Sequence, residues 1–176
     1  MSDIFDKVTA DQDFIRKFLA KIPGFNGYIE RSNRRASDKL LREHIAEKFQ
    51  TLEQKVSALQ RELISMGGLE WVDDLEAAAV VLRQFTDRVR RATYGYSSLF
   101  EAVKINEEEL SRLYEFDLAL LDLEDEVDRA IDNVEGSLGT DGLPAAIRHL
   151  RNLAKQCVET FNQRSAVVIV EGDTQE

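Results

Sequence analysis

The feature that most constrains the fold of this chain is a seam of apolar residues between positions 45 and 66. Successive members of the seam are alternately four and three residues apart. The seam consists of Ile45, Phe49, Leu52, Val56, Leu59, Leu63 and Met66. This heptad pattern is typical of a helix that packs along its length against other helices, as in coiled coils and long bundles. Because no proline or glycine interrupts residues 29–66, we expect one helix there, which would span about 55 Å.

Few residues break the rest of the chain, which has two prolines and nine glycines in 176 residues. The periodicity and the breakers predict a short N-terminal helix over 3–20, then long helices over 29–66, 69–93, 106–138 and from about 144 to 163. Short connections favour antiparallel packing of consecutive long helices. The predicted fold is therefore all-α: an elongated, antiparallel four-helix bundle with coiled-coil character and an extra short N-terminal helix.

The sequence predicts one bundle domain over residues 1–164, followed by a tail over 165–176. Residues 166–170 read Ala-Val-Val-Ile-Val, and acidic residues follow them. Because β-branched residues favour extended backbone, we expect this segment to form a strand-like arm on a neighbouring element.

Composition argues against several classes of protein. A net charge of −10 opposes general binding to phosphate backbones, although a local basic patch remains compatible with it. Cys157 is the single cysteine, which excludes an intramolecular disulfide, and its apolar neighbours in sequence predict a core residue. The N-terminus has acidic residues where a secretion signal needs basic ones, and no window approaches the ~18 apolar residues of a membrane span. We therefore expect a cytoplasmic location.

The histidines do not fit the di-iron sites that some helical bundles carry. Such sites need Glu-x-x-His pairs. Leu41 and Ala146 stand three residues before His44 and His149, where those sites have glutamate. The sequence therefore predicts no catalytic residue, no metal site and no cofactor of this kind.

Two acids interrupt the apolar stripe of the helix over 106–138. Asp117 and Glu124 lie two helical turns apart among buried positions, and a buried carboxylate needs a partner. One interpretation is a metal or catalytic acid pair, assisted by His44. The other is that arginines from another helix pair with both acids and fix the helix register. The second is favoured, because one histidine and scattered acids make a poor ligand set.

An elbow with the sequence KIPGFNGYIERSNRR, residues 21–35, leads into a basic stripe. Arg31, Arg35, Lys39 and Arg42 follow steps of four and three along the next helix. Cations near a helix N-terminus oppose the helix dipole, so an anionic partner is expected. The candidates are residues 107–128 of the helix over 106–138, which hold ten acids against one arginine, in the same or another subunit, or else a lipid or nucleic-acid phosphate.

The segments IPGFNGYIERSNRRASDKLLREHIA and YGYSSLFEAVKINEEELSRLYEFD resemble a family of small uncharacterised helical proteins of bacteria. That family shares an Ile-Pro-Gly-aromatic-x-Gly-Tyr elbow before an arginine-rich helix, and a second aromatic corner before an acidic helix. The resemblance covers about half of the chain. It implies no activity, but it suggests that the two corners belong to one design.

The predicted function is that of a non-enzymatic interaction or scaffold protein, expected to be oligomeric, which binds a protein partner or itself. The alternatives are a binder of anionic lipid or nucleic acid through the stripe over 31–42, and a carboxylate-metal enzyme. We predict that partner contact involves Phe25, Tyr28, Arg31, Arg34, Arg35, Lys39, Arg42, Tyr94 and Tyr96. The aromatic residues would form a packed cap or a docking face, and the arginines would pair with carboxylate or phosphate.

Overall fold

A computed structural model describes residues 2–28, 30–92 and 107–169, with the side chains of the first helix described from residue 12. Within these residues the chain forms five helices: α1 (Ser2–Lys21), α2 (Arg31–Ser65), α3 (Val72–Arg91), α4 (Glu107–Gly136) and α5 (Leu143–Ile169). A 3₁₀ turn over Leu69–Trp71 leads into α3. The predicted all-α helical bundle is confirmed. None of the described helices is long and apolar enough to cross a membrane.

The four long helices form two antiparallel hairpins, α2–α3 and α4–α5. Between α2 and α3, Gln60 donates a hydrogen bond to Glu76 at 2.7 Å, and Arg83 donates to Glu53 at 2.6 Å. Later residues of α2 therefore contact earlier residues of α3, as they do when two helices run antiparallel. At 35 residues, α2 is about 52 Å long.

The two hairpins pack side by side, so that α2 adjoins α4 and α3 adjoins α5. Lys48 of α2 lies 3.7 Å from Glu124 of α4, and Arg151 of α5 lies 2.7 Å from Asp74 of α3. The turn after α2 and the turn after α4 consequently meet at one end of the bundle, which we call the tip.

The seam of α2 is buried along its whole length except at its last member. Ile45, Phe49, Leu52, Val56, Leu59 and Leu63 are core residues, whereas 57% of Met66 is exposed. The prediction was wrong for Met66 because α2 ends at Ser65. Gly67, at φ +82°, reverses the chain, and the N–H of Gly68 donates to the carbonyl of Leu63 at 2.9 Å. Met66 keeps a helical backbone conformation just before this reversal, and its side chain is exposed at the end of the helix.

The segment predicted as a strand-like arm is helical as far as it is described. The last helix continues to Ile169, and Ser165 Oγ donates to the carbonyl of Phe161 at 2.8 Å within it. The prediction was wrong here because residue 164 is fixed inside the bundle, and its packing outweighs the β preference of the residues that follow. Residues 170–176 lie outside the described ranges.

Candidate functional site

A group of ionised side chains lies inside the bundle at the end opposite the tip. This buried ion cluster consists of Asp38 and Arg42 from α2, Asp117 from α4 and Arg164 from α5, with the hydroxyl of Tyr28 from the elbow. Arg164, which has no exposed surface, donates from Nε to Asp117 Oδ1 and from Nη2 to Asp38 Oδ1, the latter at 2.7 Å. The cluster thus ties α2, α4 and α5 to one another.

The remaining contacts complete the cluster. Arg42 Nε donates to Asp38 Oδ2 at 2.8 Å, and the Tyr28 hydroxyl donates to Asp117 Oδ2 at 2.6 Å. Arg164 Nη1 is buried and has no acceptor in the described part of the chain. Such an N–H group costs stability, so the cluster is not at its energetic optimum.

Burial and pairing set the protonation states in the cluster. Burial raises the pKa of the Asp117 carboxyl, and the charge and hydrogen bonds of Arg164 offset part of that rise. Burial alone would lower the pKa of Arg164, but Asp117 and Asp38 hold it well above its ordinary value. Burial, followed by the charge of Asp117, raises the pKa of Tyr28 well above 10. Arg164 and Tyr28 therefore keep their protons near neutral pH, where an acid–base catalyst needs a group that exchanges one.

The elbow is a packed cap over this cluster. The N–H of Tyr28 donates to the Tyr114 hydroxyl at 2.7 Å, and Arg34 Nε donates to the Tyr28 carbonyl at 2.6 Å. Gly27 has a φ of +81°, and a Cβ there would lie 2.7 Å from the Tyr114 hydroxyl. Only glycine allows this close approach without strain.

The aromatic residues of the elbow are internal. Phe25 and Tyr28 have no exposed surface, and their rings meet edge to face at 5.4 Å. Phe25 also stacks on Phe18 of α1 at 4.5 Å, which attaches the N-terminal helix to the bundle. The expectation that Phe25 and Tyr28 present aromatic surface to a partner is therefore wrong, because α1 and α4 cover them. Tyr94 and Tyr96 lie outside the described residues.

The basic stripe is divided between the interior and the surface. Arg42 is buried against Asp38, and Arg34 is also buried. Arg35 is exposed, and the exposed Lys39 lies 3.7 Å from Glu43. The side chain of Arg31, the first residue of α2, is not among those described. The predicted face of aligned cations is therefore interrupted at Arg42, which points inward.

The acids of α4 pair with cations of other helices. Asp117 pairs with Arg164, which confirms the interpretation that an arginine of another helix holds it. Glu124 lies 3.7 Å from Lys48, so its partner is a lysine rather than an arginine. His44 is half-buried, and burial lowers its pKa. No group of His, Cys, Asp or Glu side chains suited to hold a metal ion occurs among the described residues.

Cys157 is a core residue, as predicted. It is buried, and burial raises the pKa of its thiol to about 12. Because the thiolate is the nucleophilic form, this thiol is inert in the folded protein.

The tip carries the second candidate site, which the sequence alone did not single out. A cleft of about 360 Å³ lies between the two turns, and its apolar walls include Leu63, Met66, Trp71 and Leu138. We call it the tip cleft. Apolar side chains are exposed in the chain beside it: 49% of Ile64, 57% of Met66 and 66% of Leu69. The rim carries Glu70 and Asp141.

Comparison with known protein families, with characterised proteins and with solved structures finds no match to this chain. The resemblance of the elbow and the second corner to a bacterial family therefore stays a prediction.

Proposed function

We propose that this chain is a non-enzymatic helical interaction protein that binds a protein partner through the tip. The observation that carries the proposal is the exposure of Ile64, Met66 and Leu69 within six residues, with Met66 lining a partly apolar cleft. Several exposed apolar side chains near a partly apolar cleft are typical of surfaces that bind other proteins or ligands, whereas single exposed apolar residues are ordinary.

The buried ion cluster supports binding rather than catalysis. Asp117 and Arg164 are committed to each other, and both are inaccessible to a substrate because neither has exposed surface. The Cys157 thiol is also buried, and its pKa is raised to about 12. The reactive groups in the described core thus have structural roles.

The buried ion cluster also fixes the relative positions of the helices, which a scaffold protein requires. Buried ion pairs fix the register of the elements that they join at some cost in stability, as we propose for α2, α4 and α5 here. A rigid register keeps the two turns of the tip in a constant relative position. Self-association and a cytoplasmic location remain predictions alongside this proposal.

Binding of anionic lipid or nucleic acid has less support. It requires the stripe over residues 31–42 to act as one basic face, and Arg42 is turned inward to Asp38. The exposed Lys39 has Glu43 beside it, which weakens its attraction for phosphate.

The test uses the tagged full-length chain as bait in extract of its native cell, at low and at physiological salt. We expect one or a few proteins to be enriched over a tag-only control. Enrichment of no protein at either salt concentration would contradict the proposal. Salt-sensitive flotation with anionic vesicles in place of a protein partner would favour the lipid alternative instead.

A further inference from the structure

Both turns of the tip are acidic and contain no cation. Residues 62–76 include five acids and no Lys, Arg or His. Residues 130–147 include three acids and again no cationic residue. These two stretches meet at the tip, so acids outnumber cations around the cleft, although Arg61 and Arg148 lie just outside the two stretches.

Contacts within the bundle neutralise only part of this charge. Asp74 pairs with Arg151 at 2.7 Å, whereas Glu76 accepts a hydrogen bond at 2.7 Å from the uncharged amide of Gln60 and keeps its charge. Glu70 and Asp141, on the rim of the cleft, form no salt bridge within the described residues. Their charges are therefore available to a partner.

About half of the cleft's lining is apolar, and one of its apolar side chains is adaptable. Met66 crosses from the first turn toward the second, so that a Cβ built on Gly139 would lie 3.6 Å from Met66 Cε. The flexible, polarizable side chain of methionine adapts to partners of different shape. Trp71 forms part of the wall, and Leu63 and Leu143 close the floor. A cleft of about 360 Å³ has room for an apolar side chain from outside.

We infer that the tip cleft binds a cationic amphipathic segment of a partner protein. An apolar side chain of that segment enters the cleft, and flanking lysines or arginines meet Glu70 and Asp141. This inference rests on the proposed function and specifies the chemistry of the partner.

The sign of the charge decides between possible occupants. A second copy of this chain docked tip to tip would bring the same acids face to face, and like charges across an interface oppose association. Nucleic acid and anionic lipid are repelled for the same reason. A segment that carries lysine or arginine beside an apolar face complements both properties of the tip.

A designed peptide tests the inference with the full-length protein. The probe has about 18 residues, or five helical turns, and consists of leucine, alanine and lysine with all leucines on one face. It contains no tryptophan, so the emission of Trp71, the only tryptophan of the chain, reports binding at the cleft. We expect a saturable change in emission that weakens as salt is added. The same peptide with glutamate in place of lysine should leave the emission unchanged.

Two matched variants separate cleft binding from general attraction to an acidic protein. Met66→Glu places a charge in the cleft, whereas Leu19→Glu adds the same charge at an exposed apolar position of α1. Because both variants gain one negative charge, purely electrostatic binding would strengthen in both. We expect Met66→Glu to weaken binding roughly tenfold or more, and Leu19→Glu to bind as the wild type does. The Glu70→Gln, Asp141→Asn double variant should bind roughly two- to tenfold more weakly, with a smaller dependence on salt.

Equal affinity of Met66→Glu and Leu19→Glu for the peptide, or equal binding of the glutamate peptide, would overturn the inference. Either result leaves the proposed function testable, because the extract experiment uses the wild-type chain and detects a protein partner at any surface. A partner captured by Met66→Glu as well as by the wild type would place the interaction elsewhere on the molecule.

Discussion

Replacement of Arg164 by methionine removes the cation that contacts both buried aspartates. Arg164 donates to Asp117 and to Asp38 from two different nitrogens, and none of its surface is exposed. Methionine retains much of the length and apolar volume of the side chain, so the loss of packing is small. The variant consequently isolates the loss of charge and hydrogen bonds.

The expected cost follows from what each aspartate retains. Asp38 keeps the hydrogen bond from Arg42, whereas Asp117 keeps only the one from the Tyr28 hydroxyl. Removal of one partner from a buried ion pair costs about 3–5 kcal/mol, because the other charge stays buried. Loss of the unsatisfied Nη1 group returns about 1 kcal/mol. We therefore expect Arg164→Met to lower the free energy of unfolding by about 2–4 kcal/mol.

Urea denaturation followed by circular dichroism measures this difference. The matched control is Arg148→Met, an exposed arginine of the same helix, which should change the free energy of unfolding by less than about 0.5 kcal/mol. If the Arg164 variant were as stable as this control, the reasoning about the buried ion cluster would be refuted.

The loss in free energy of unfolding caused by Arg164→Met should also depend on pH. Without Arg164, burial raises the pKa of Asp117 further above that of an exposed aspartate. The folded variant then binds a proton at a pH where the unfolded chain does not, so its stability relative to wild type improves as pH falls through this window. A deficit that stayed constant from pH 7 to pH 4 would show that Asp117 is not the group left unpaired.

Three further predictions concern other parts of the molecule. Gly27→Ala should cost roughly twice as much stability in urea melts as Gly67→Ala, because both have a φ near +80° but only Gly27 would also press a Cβ against the Tyr114 hydroxyl; equal costs would show that this contact is unimportant. Burial lowers the pKa of His44, so the folded state resists its protonation, and stability should fall as pH drops below 6.5. His44→Gln should lessen that slope, and a pKa of 6.5 or above from an NMR titration of the ring would contradict this account. The thiol of Cys157, with its pKa raised to about 12, should react with a disulfide reagent only after denaturation, so prompt reaction of the native protein would show that the thiol is accessible.

The helices could be predicted from the sequence because their periodicity is local. The seam over residues 45–63 and the Gly67-Gly68 stop are visible within a few turns of chain. The need of Asp117 for an arginine was also visible, since a carboxylate in an apolar stripe requires a partner. Its identity was not, because Arg164 lies 47 positions away and beside residues with a β preference that packing overrides.

The tip could not be predicted in the same way. The heptad pattern places Met66 in the core, but α2 ends at Ser65 and the Met66 side chain is exposed at the helix end. The cleft depends on two turns that are about 70 residues apart in the chain and meet only in the packed bundle. The acids without cations over residues 62–76 were the available signal, since they charge a turn that carries exposed apolar side chains.

The burial of the elbow's aromatic residues could not be predicted from the sequence either. Aromatic residues in a turn fit a packed cap and a docking face equally well in sequence. The structure distinguishes the two, because Phe18 of α1 packs on Phe25 and Tyr114 of α4 packs on Tyr28. Burial of those rings moves the candidate binding surface to the opposite end of the bundle.

Photo-crosslinking in the native cell tests the central claim most directly. A photoreactive phenylalanine analogue placed at Leu69, which is 66% exposed beside the cleft, is compared with the same analogue at Leu19 on α1, which is 44% exposed. The account predicts a covalent adduct with a partner protein at position 69, formed through a lysine- or arginine-rich amphipathic segment, and no such adduct at position 19. No protein adduct at position 69, or the same adducts at both positions, would contradict it.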